Sequence, residues 1–186
     1  MSSCKTLVIV HGKSELIFCK GLASNYRLNI AIDSEENGEK CIQILSLEER
    51  LCSEHYVSEY SLHKKFDKLE YLSEKDIKMP NLKIFPIMDT DDSLRHFNSY
   101  VTKNMFSSSP FKGRVVPIFN MPNLDKVLID SGFDVDKNNK VESYQNIISQ
   151  YELNEIVEKI GKSKNTNLLK FLHHCASMIP NYQNKW

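Results

Sequence analysis

The amino-acid sequence predicts an α/β protein whose core is a mainly parallel sheet of about four strands flanked by helices. Short apolar runs alternate with stretches in which the apolar residues recur at helical spacing. The runs also lack polar alternation, which indicates strands buried on both faces, as in a parallel sheet covered by helices. We predict strands over residues 7–10, 29–32, 82–88 and 115–119.

The first strand leads directly into a helix. Its apolar residues, 7–10, stop at His11 and Gly12, and a helical period begins at Glu15. Ser14 is the predicted N-cap of this helix, because a serine hydroxyl can accept a hydrogen bond from the first turn. The opening of the chain therefore predicts a strand, a tight glycine-containing turn and a helix.

Residues 39–72 are mostly helical in pattern, and residues 93–106 are predicted to be helical. Two or three amphipathic helices are predicted over about residues 142–160 and 166–179. Pro117 predicts an edge or bulged position for the fourth strand, since proline cannot donate a hydrogen bond to a neighbouring strand. We divide the chain into an α/β core, residues 1–125, and a helical C-terminal extension packed on it, residues 126–186.

Composition and length restrict the class of protein. The chain has 186 residues, of which 41% are hydrophobic, and 24 basic side chains balance 24 acidic ones. This length suits one domain with a small appendage. The hydrophobic content argues against disorder, and the zero net charge argues against a protein held to nucleic acid by bulk positive charge.

The sequence also predicts a protein without a membrane segment. No apolar run reaches the ~18–20 residues that cross a bilayer, and the run at residues 7–10 is too short for a signal peptide. The five cysteines are odd in number and contain no C-x-x-C pair, which is typical of reduced thiols. We therefore expect a cytoplasmic protein.

Carboxylates cluster where the first and third strands end. The third strand runs into Asp89, Asp91 and Asp92, and Glu15 lies in the first turn after the first strand. The carboxyl ends of parallel strands meet at one edge of a sheet, which is where ligands bind. Clustered carboxylates repel unless a cation joins them, and oxygen ligands suit Mg²⁺ or Mn²⁺. We predict a metal site formed by Glu15, Asp89, Asp91 and Asp92. The alternative is that Asp91 and Asp92 only cap the following helix.

Two segments resemble the motifs of the TOPRIM domain, the metal-binding module of topoisomerases, bacterial primases and several nucleases. They are LVIVHGKSE, which contains Gly12, Lys13, Ser14 and Glu15, and IFPIMDTDD, which contains Asp89 and Asp91. The resemblance covers about residues 5–125 and is nearest to small stand-alone, RloB-like or OLD-type nuclease domains. It implies metal-dependent phosphodiester chemistry and suggests a setting in phage defence.

One residue departs from the TOPRIM pattern. The family has an acid immediately before the first-motif glycine, and His11 stands there in this chain. An imidazole can take over proton transfer near pH 7 or bind a metal, and Glu15 can substitute for the missing acid. The same departure is compatible with a site that binds without cutting. The candidate catalytic residues are His11, Glu15, Asp89 and Asp91.

The basic residues are segregated from the acidic ones. No acid lies between Ser93 and Leu124, and none follows Glu158. Cations beside a metal-binding acidic centre suit a phosphate-bearing partner, so we expect a nucleic acid. The alternative is that these side chains only cover solvated surfaces. The predicted phosphate contacts are Gly12, Lys13, Ser14, Arg95, Lys112 and Arg114.

Three functions follow from these features. The first is metal-dependent phosphodiester hydrolysis of DNA or RNA. The second is a haloacid-dehalogenase-like phosphatase with Asp89 as nucleophile, because DTDDS after a strand resembles that family's DxDx[T/S] motif. The third is a non-catalytic module that binds nucleic acid or a partner protein, with the C-terminal helices forming a homodimer or a protein interface.

Overall fold

The computed structural model describes residues 5–69, 79, 81–91 and 94–180 of the chain. It confirms the predicted α/β class, with a sheet of four strands that are all parallel. The strands are β1 (Thr6–Val10), β2 (Ala31–Asp33), β3 (Lys83–Asp89) and β4 (Ile118–Asn120), in the spatial order β2-β1-β3-β4.

The register of the strands aligns their carboxyl ends. Ile9 lies opposite Asp33 in β2, Val10 lies opposite Ile87 in β3, and Asp89 lies opposite Asn120 in β4. The polar residues that end the strands are therefore brought to one edge of the sheet, as the parallel arrangement requires.

The described residues form eight α-helices. These are α1 (Lys13–Asn25), α2 (Leu47–Cys52), α3 (Glu59–Lys65), α4 (Leu94–Val101), α5 (Leu124–Asp130), α6 (Lys140–Gln150), α7 (Leu153–Ile160) and α8 (Leu169–Ser177).

The helices cover both faces of the sheet. Val8, Val10, Phe85 and Ile87 pack against residues of α1 and of α5 to α8. Alternate residues of the same strands, among them Leu7 and Ile84, pack on the other face with residues of α2, α3 and α4. Because successive side chains of a strand point to opposite faces, unbroken apolar runs supply both halves of the core.

The fourth strand is at the edge of the sheet, as Pro117 predicted, but it begins later than expected. Val115 forms only an isolated bridge with Ile84, and the strand proper starts at Ile118. Pro117 has no N–H to donate, so regular pairing cannot run through it. On its outer side β4 is covered by Thr166, which forms an antiparallel bridge with Asn120.

Two long stretches of predicted helical pattern are divided into shorter helices. Between residues 39 and 69 the chain forms α2, α3 and single 3-10 turns, with extended backbone at Gln43, Ser53 and Ser58. The Ser58 hydroxyl accepts the Ser61 N–H at 3.1 Å and starts α3 anew. Residues 142–160 are divided at Glu152, whose N–H donates to the Glu155 carboxylate at 2.8 Å and caps α7.

The helices that follow β4 belong to the layer that α1 begins. The expected boundary at residue 125 falls inside α5, and buried residues of α5 to α8 share one apolar cluster with α1. None of the helices in the described ranges has the length and apolar composition needed to span a bilayer.

Candidate functional site

Glu15 enters the site because α1 begins directly after β1. The helix starts at Lys13 with Gly12 as its N-cap, so the predicted N-cap, Ser14, is wrong. Glu15 is 1% exposed, and its Oε2 accepts the Gly12 backbone N–H at 3.0 Å. This contact holds the Glu15 carboxylate at the start of the helix, where the helix dipole favours negative charge.

Gly12 is closely packed by two side chains. A Cβ atom at this position would lie 3.3 Å from Cys41 Sγ and 3.8 Å from Glu15 Oε2. The first contact is tighter than ordinary van der Waals distance, so a larger residue would displace the Cys41 side chain.

Asp89 ends β3 and is 9% exposed. Its Oδ1 accepts the backbone N–H of Leu124 at 3.0 Å and is 3.5 Å from the amide nitrogen of Asn120. Leu124 is the first residue of α5, so the start of that helix also faces the carboxylate. Asp89 is thus held by the segment that connects β4 to α5.

The structure brings Glu15 and Asp89 into contact. Their carboxyls are close enough to share a proton, and the charge of each acts on the other. Burial raises the pKa of Glu15, and backbone hydrogen bonds and the charge of His11 lower it in part. Burial, the Glu15 carboxyl and the charge of Asp91 raise the pKa of Asp89 to about 9. The two carboxyls are therefore both ionised only when a cation binds between them, and otherwise one of them holds a proton.

One oxygen of this pair has no hydrogen-bond donor. When both carboxyls are ionised, the buried Glu15 Oε1 receives no hydrogen bond, because the Asp89 carboxylate can then only accept hydrogen bonds. Thr90 Oγ1, which follows Asp89 in the chain, is also buried without a partner. Unsatisfied buried polar atoms are rare in folded proteins and often mark a functional site.

Asp91 lies at the solvent side of the pair. It is exposed, its backbone N–H donates to Pro122 O at 3.1 Å, and its charge acts on Asp89. Residues 92 and 93 are outside the described residues, so the predicted capping by Asp92 lies outside them as well. Within the described part of the chain, no three His, Cys, Asp or Glu side chains are grouped as a metal site. The described carboxylates therefore come together as a buried pair with Asp91 nearby.

His11 directly follows β1, four residues before Glu15, and is 7% exposed. Its Nδ1 lies 3.0 Å from the carbonyl oxygen of Ile42. A carbonyl only accepts hydrogen bonds, so Nδ1 carries a hydrogen, and the second ring nitrogen, Nε2, is the one left for proton exchange. His11 is close enough for electrostatic interaction with Glu15.

The predicted phosphate contacts lie on three different segments of the chain. Gly12, Lys13 and Ser14 lie at the start of α1 beside Glu15, where Lys13 pairs with Glu39 at 2.6 Å on the surface. Arg95 and Lys112 are exposed.

Arg114 is bound by other side chains of the protein. Its Nη2 pairs with Glu59 Oε1 at 2.5 Å, and its guanidinium lies over the Phe111 ring. This residue therefore ties α3 to the segment before β4.

The sequence analysis missed two residues that support Asp89. Asn120 is fully buried at the end of β4, and its Oδ1 lies 2.9 Å from the Thr166 hydroxyl. With Oδ1 directed at Thr166, the amide nitrogen faces Asp89. A polar residue at the end of a predicted strand was the available signal for Asn120. Thr166 had none, because its role depends on a contact between distant segments.

A second missed group connects the C-terminal helices to the start of α1. The Tyr144 hydroxyl donates to Asp125, which also pairs with Lys140 at 2.6 Å. Tyr144 interacts with the Ser14 hydroxyl and with the charge of Glu15. Burial raises the pKa of Tyr144, so it stays protonated and acts as a hydrogen-bond donor.

Comparison of the chain with family models, curated proteins and solved structures gives no match. The TOPRIM resemblance therefore rests on the motif residues around Gly12 and Asp89.

Proposed function

We propose that this chain is a metal-dependent phosphodiesterase of the nuclease type that acts on DNA or RNA through Glu15 and Asp89. The observation that carries the proposal is the burial of these two carboxyls against each other at the carboxyl edge of a parallel sheet. Burying two carboxyls together costs folding free energy, and perturbed groups of this kind concentrate at functional sites.

The topology supports this location. In the order β2-β1-β3-β4 the chain leaves β1 toward one side of the sheet and returns on its other side at β3. Ligands of open parallel sheets bind at such a switch point, outside the carboxyl ends of the strands. Glu15 follows β1 and Asp89 ends β3, so the pair flanks the switch point.

The donor atoms fit a hard divalent cation. Mg²⁺ is commonly held by one or two carboxylates together with water and substrate phosphate, and Mn²⁺ accepts similar ligands. A cation shared by Glu15 and Asp89 would satisfy the unpartnered Glu15 Oε1 and remove their repulsion. Asp91 is a further candidate ligand from the solvent side. When bound, such an ion neutralises charge on phosphate oxygens and activates water.

Residues around the pair would keep the two carboxylates in position. The Gly12 N–H fixes one oxygen of Glu15, and the Leu124 N–H fixes one oxygen of Asp89. Asn120 contributes its amide to the same Asp89 oxygen. Groups preorganised in this way do not have to rearrange when charge develops on the substrate.

His11 and Lys13 are the candidates for proton transfer and phosphate binding. His11 can accept a proton at Nε2, because the Ile42 carbonyl holds the hydrogen on Nδ1. Lys13 can turn toward a phosphate, since its ion pair with Glu39 is exposed and such pairs contribute little.

A non-catalytic nucleic-acid or protein-binding module is the second candidate. It is favoured by His11 in place of the family's acid and by the lack of a third grouped metal ligand within the described residues. The phosphatase hypothesis is less favoured, because that family carries its motif on the first strand near the N-terminus, whereas Asp89 ends the third strand along the chain.

Cleavage assays test the proposal. Labelled single- and double-stranded DNA and RNA are incubated with the protein in Mg²⁺, Mn²⁺ or EDTA. We expect cleavage that requires the metal and falls by about 100-fold or more in Asp89→Asn and Glu15→Gln. Glu158→Gln, an equal change of charge on the surface of α7, serves as the control. Metal-independent cleavage or full activity of Asp89→Asn overturns the proposal, and binding without cleavage identifies the non-catalytic module.

A further inference from the structure

A second charged cluster lies at the carboxyl end of β2. Asp33 is 3% exposed, and both of its oxygens are bound by Arg50, from Nε at 2.7 Å and from Nη2 at 3.0 Å. The Tyr56 hydroxyl donates to Asp33 at 2.6 Å, and Lys65 Nζ lies 3.3 Å from it. Asp33 thus fixes two cations at the same edge of the sheet as the carboxyl pair.

The inner part of this cluster carries one unbalanced positive charge. Arg50 and Lys65 are 17% and 25% exposed at their side chains, and Asp33 is the only one of the three that is negative. The missing anion comes from Glu35, whose Oε2 accepts from Arg50 Nη1 at 2.7 Å. The Glu35 side chain is 36% exposed, so it supplies this charge from the surface.

Glu35 stands at the start of a tight loop. Glu36, Asn37 and Gly38 follow with φ values of 45°, 55° and 84°. Left-handed backbone at two consecutive non-glycine residues is unfavourable and concentrates where a segment clamps a ligand. The loop is held against the start of α1, since Lys13 pairs with Glu39 and a Cβ on Gly38 would lie 3.0 Å from Lys13 Cα.

The cluster opens into a cleft of about 800 Å³, a volume in the range of ligand sites. The lining includes Cys41 and Ile42, which also contact the carboxyl-pair site: Cys41 lies against Gly12, and the Ile42 carbonyl binds His11. The remaining acids of the lining, Glu36 and Glu49, are exposed, so solvent screens their charge.

We propose that this cleft binds a phosphate group of the nucleic-acid strand on Arg50, in the position that the Glu35 carboxylate occupies in the free protein, with Lys65 on the wall of the same cleft. The identity of the ligand as nucleic acid rests on the proposed function. Asp33 and Asp89 end strands that are two positions apart, which is roughly 10 Å across the sheet edge. One strand of nucleic acid can therefore contact both sites. Until the nucleic acid binds, the Glu35 carboxylate occupies the phosphate position as an internal competitor.

Binding of thymidine 5′-monophosphate, measured by NMR titration in EDTA, tests the proposal. Glu35→Gln removes the competing charge and keeps the side-chain size, and Glu36→Gln is the matched control, because Glu36 lines the same cleft without contacting Arg50. An exposed ion pair of this kind restrains binding modestly, so we expect Glu35→Gln to bind about fivefold more tightly than the wild type. Glu36→Gln should change the affinity by less than about twofold. Shifted amide signals should include Arg50 and Lys65, and thymidine without phosphate should shift neither.

Equal affinities for the two variants overturn the proposal, and so do shifts confined to other regions or the absence of binding to Glu35→Gln. EDTA removes divalent cations, so the result of the titration does not depend on metal binding by Glu15 and Asp89. Loss of metal-dependent cleavage with intact phosphate binding would contradict only the proposed function. Thermal denaturation of both variants confirms that they remain folded.

Discussion

Glu15, in the first turn of α1, and Asp89, at the end of β3, interact in a site from which water is almost excluded. Glu15 is 1% exposed and Asp89 is 9% exposed. Their carboxyls repel each other when both are ionised, and they form a hydrogen bond when one holds a proton. In the folded protein this pair therefore retains either a proton or a cation at neutral pH.

Asp89→Asn should change how stability depends on pH. An unfolded aspartate has a pKa of ~3.9, whereas the folded value is raised to about 9. Between these two values the folded state holds a proton that the unfolded chain has released, so the free energy of unfolding falls as pH rises. The stabilisation from this proton is fully present below the unfolded pKa and is lost as pH rises through the folded pKa.

The asparagine does not titrate, and it keeps an oxygen for the Leu124 N–H. We expect the stability of Asp89→Asn relative to the wild type to rise by roughly 1–3 kcal/mol between about pH 5 and pH 8. Urea denaturation in EDTA at several pH values measures this difference, with Glu158→Gln as the control. Parallel curves for wild type and Asp89→Asn would show that the pair retains no extra proton.

Asp33→Asn should destabilise the protein strongly. Burial acts to raise the pKa of Asp33, but hydrogen bonds from Arg50 and Tyr56 and the nearby cations lower it overall. The stabilising charge of Asp33 is therefore present above the ordinary aspartate pKa and is lost as pH falls through the lowered value. Removing it leaves Arg50 and Lys65 half-buried without their common partner.

The expected loss for Asp33→Asn at neutral pH is about 3–5 kcal/mol, against about 1 kcal/mol or less for Glu35→Gln. Urea denaturation of the two variants side by side gives both values. Similar small losses would mean that Asp33 is not the residue that holds this cluster together.

Thr166→Val should weaken the support of Asp89 from the C-terminal layer. The Thr166 hydroxyl lies 2.7 Å from Phe119 O and 2.9 Å from Asn120 Oδ1, and it accepts the Leu168 N–H at 3.0 Å. Valine keeps the shape and removes these bonds, so we expect a loss of about 1–2 kcal/mol and weaker Mn²⁺ binding.

Thr166→Ser retains the hydroxyl and should stay close to the wild type in both properties. Thermal denaturation and Mn²⁺ titration provide the measurements. If valine and serine behave alike, the hydroxyl does not position Asn120. If the wild type itself binds no Mn²⁺, this result contradicts the proposed metal site rather than the role of Thr166.

The local sequence pattern was sufficient to predict an element where one segment determines its own secondary structure. Residues 7–10 and 84–88 are apolar without interruption, and only a strand covered on both faces accommodates such runs at this length. Pro117 indicated the edge strand, because its missing N–H is a property of one residue. The helix boundaries were less predictable, since the capping contacts of Ser58 and Glu152 compete with a continuous helical period.

By itself the sequence determined the α/β class, the parallel sheet and the placement of Glu15 and Asp89 at strand ends, because these follow from the periodicity of apolar residues and the geometry of parallel strands. The tertiary structure decided which distant side chains meet there. Asn120 with Thr166, and Asp33 with Arg50 and Lys65, are contacts between segments far apart in the chain. No local propensity encodes such contacts, because their free energy is gained only after the intervening chain has folded.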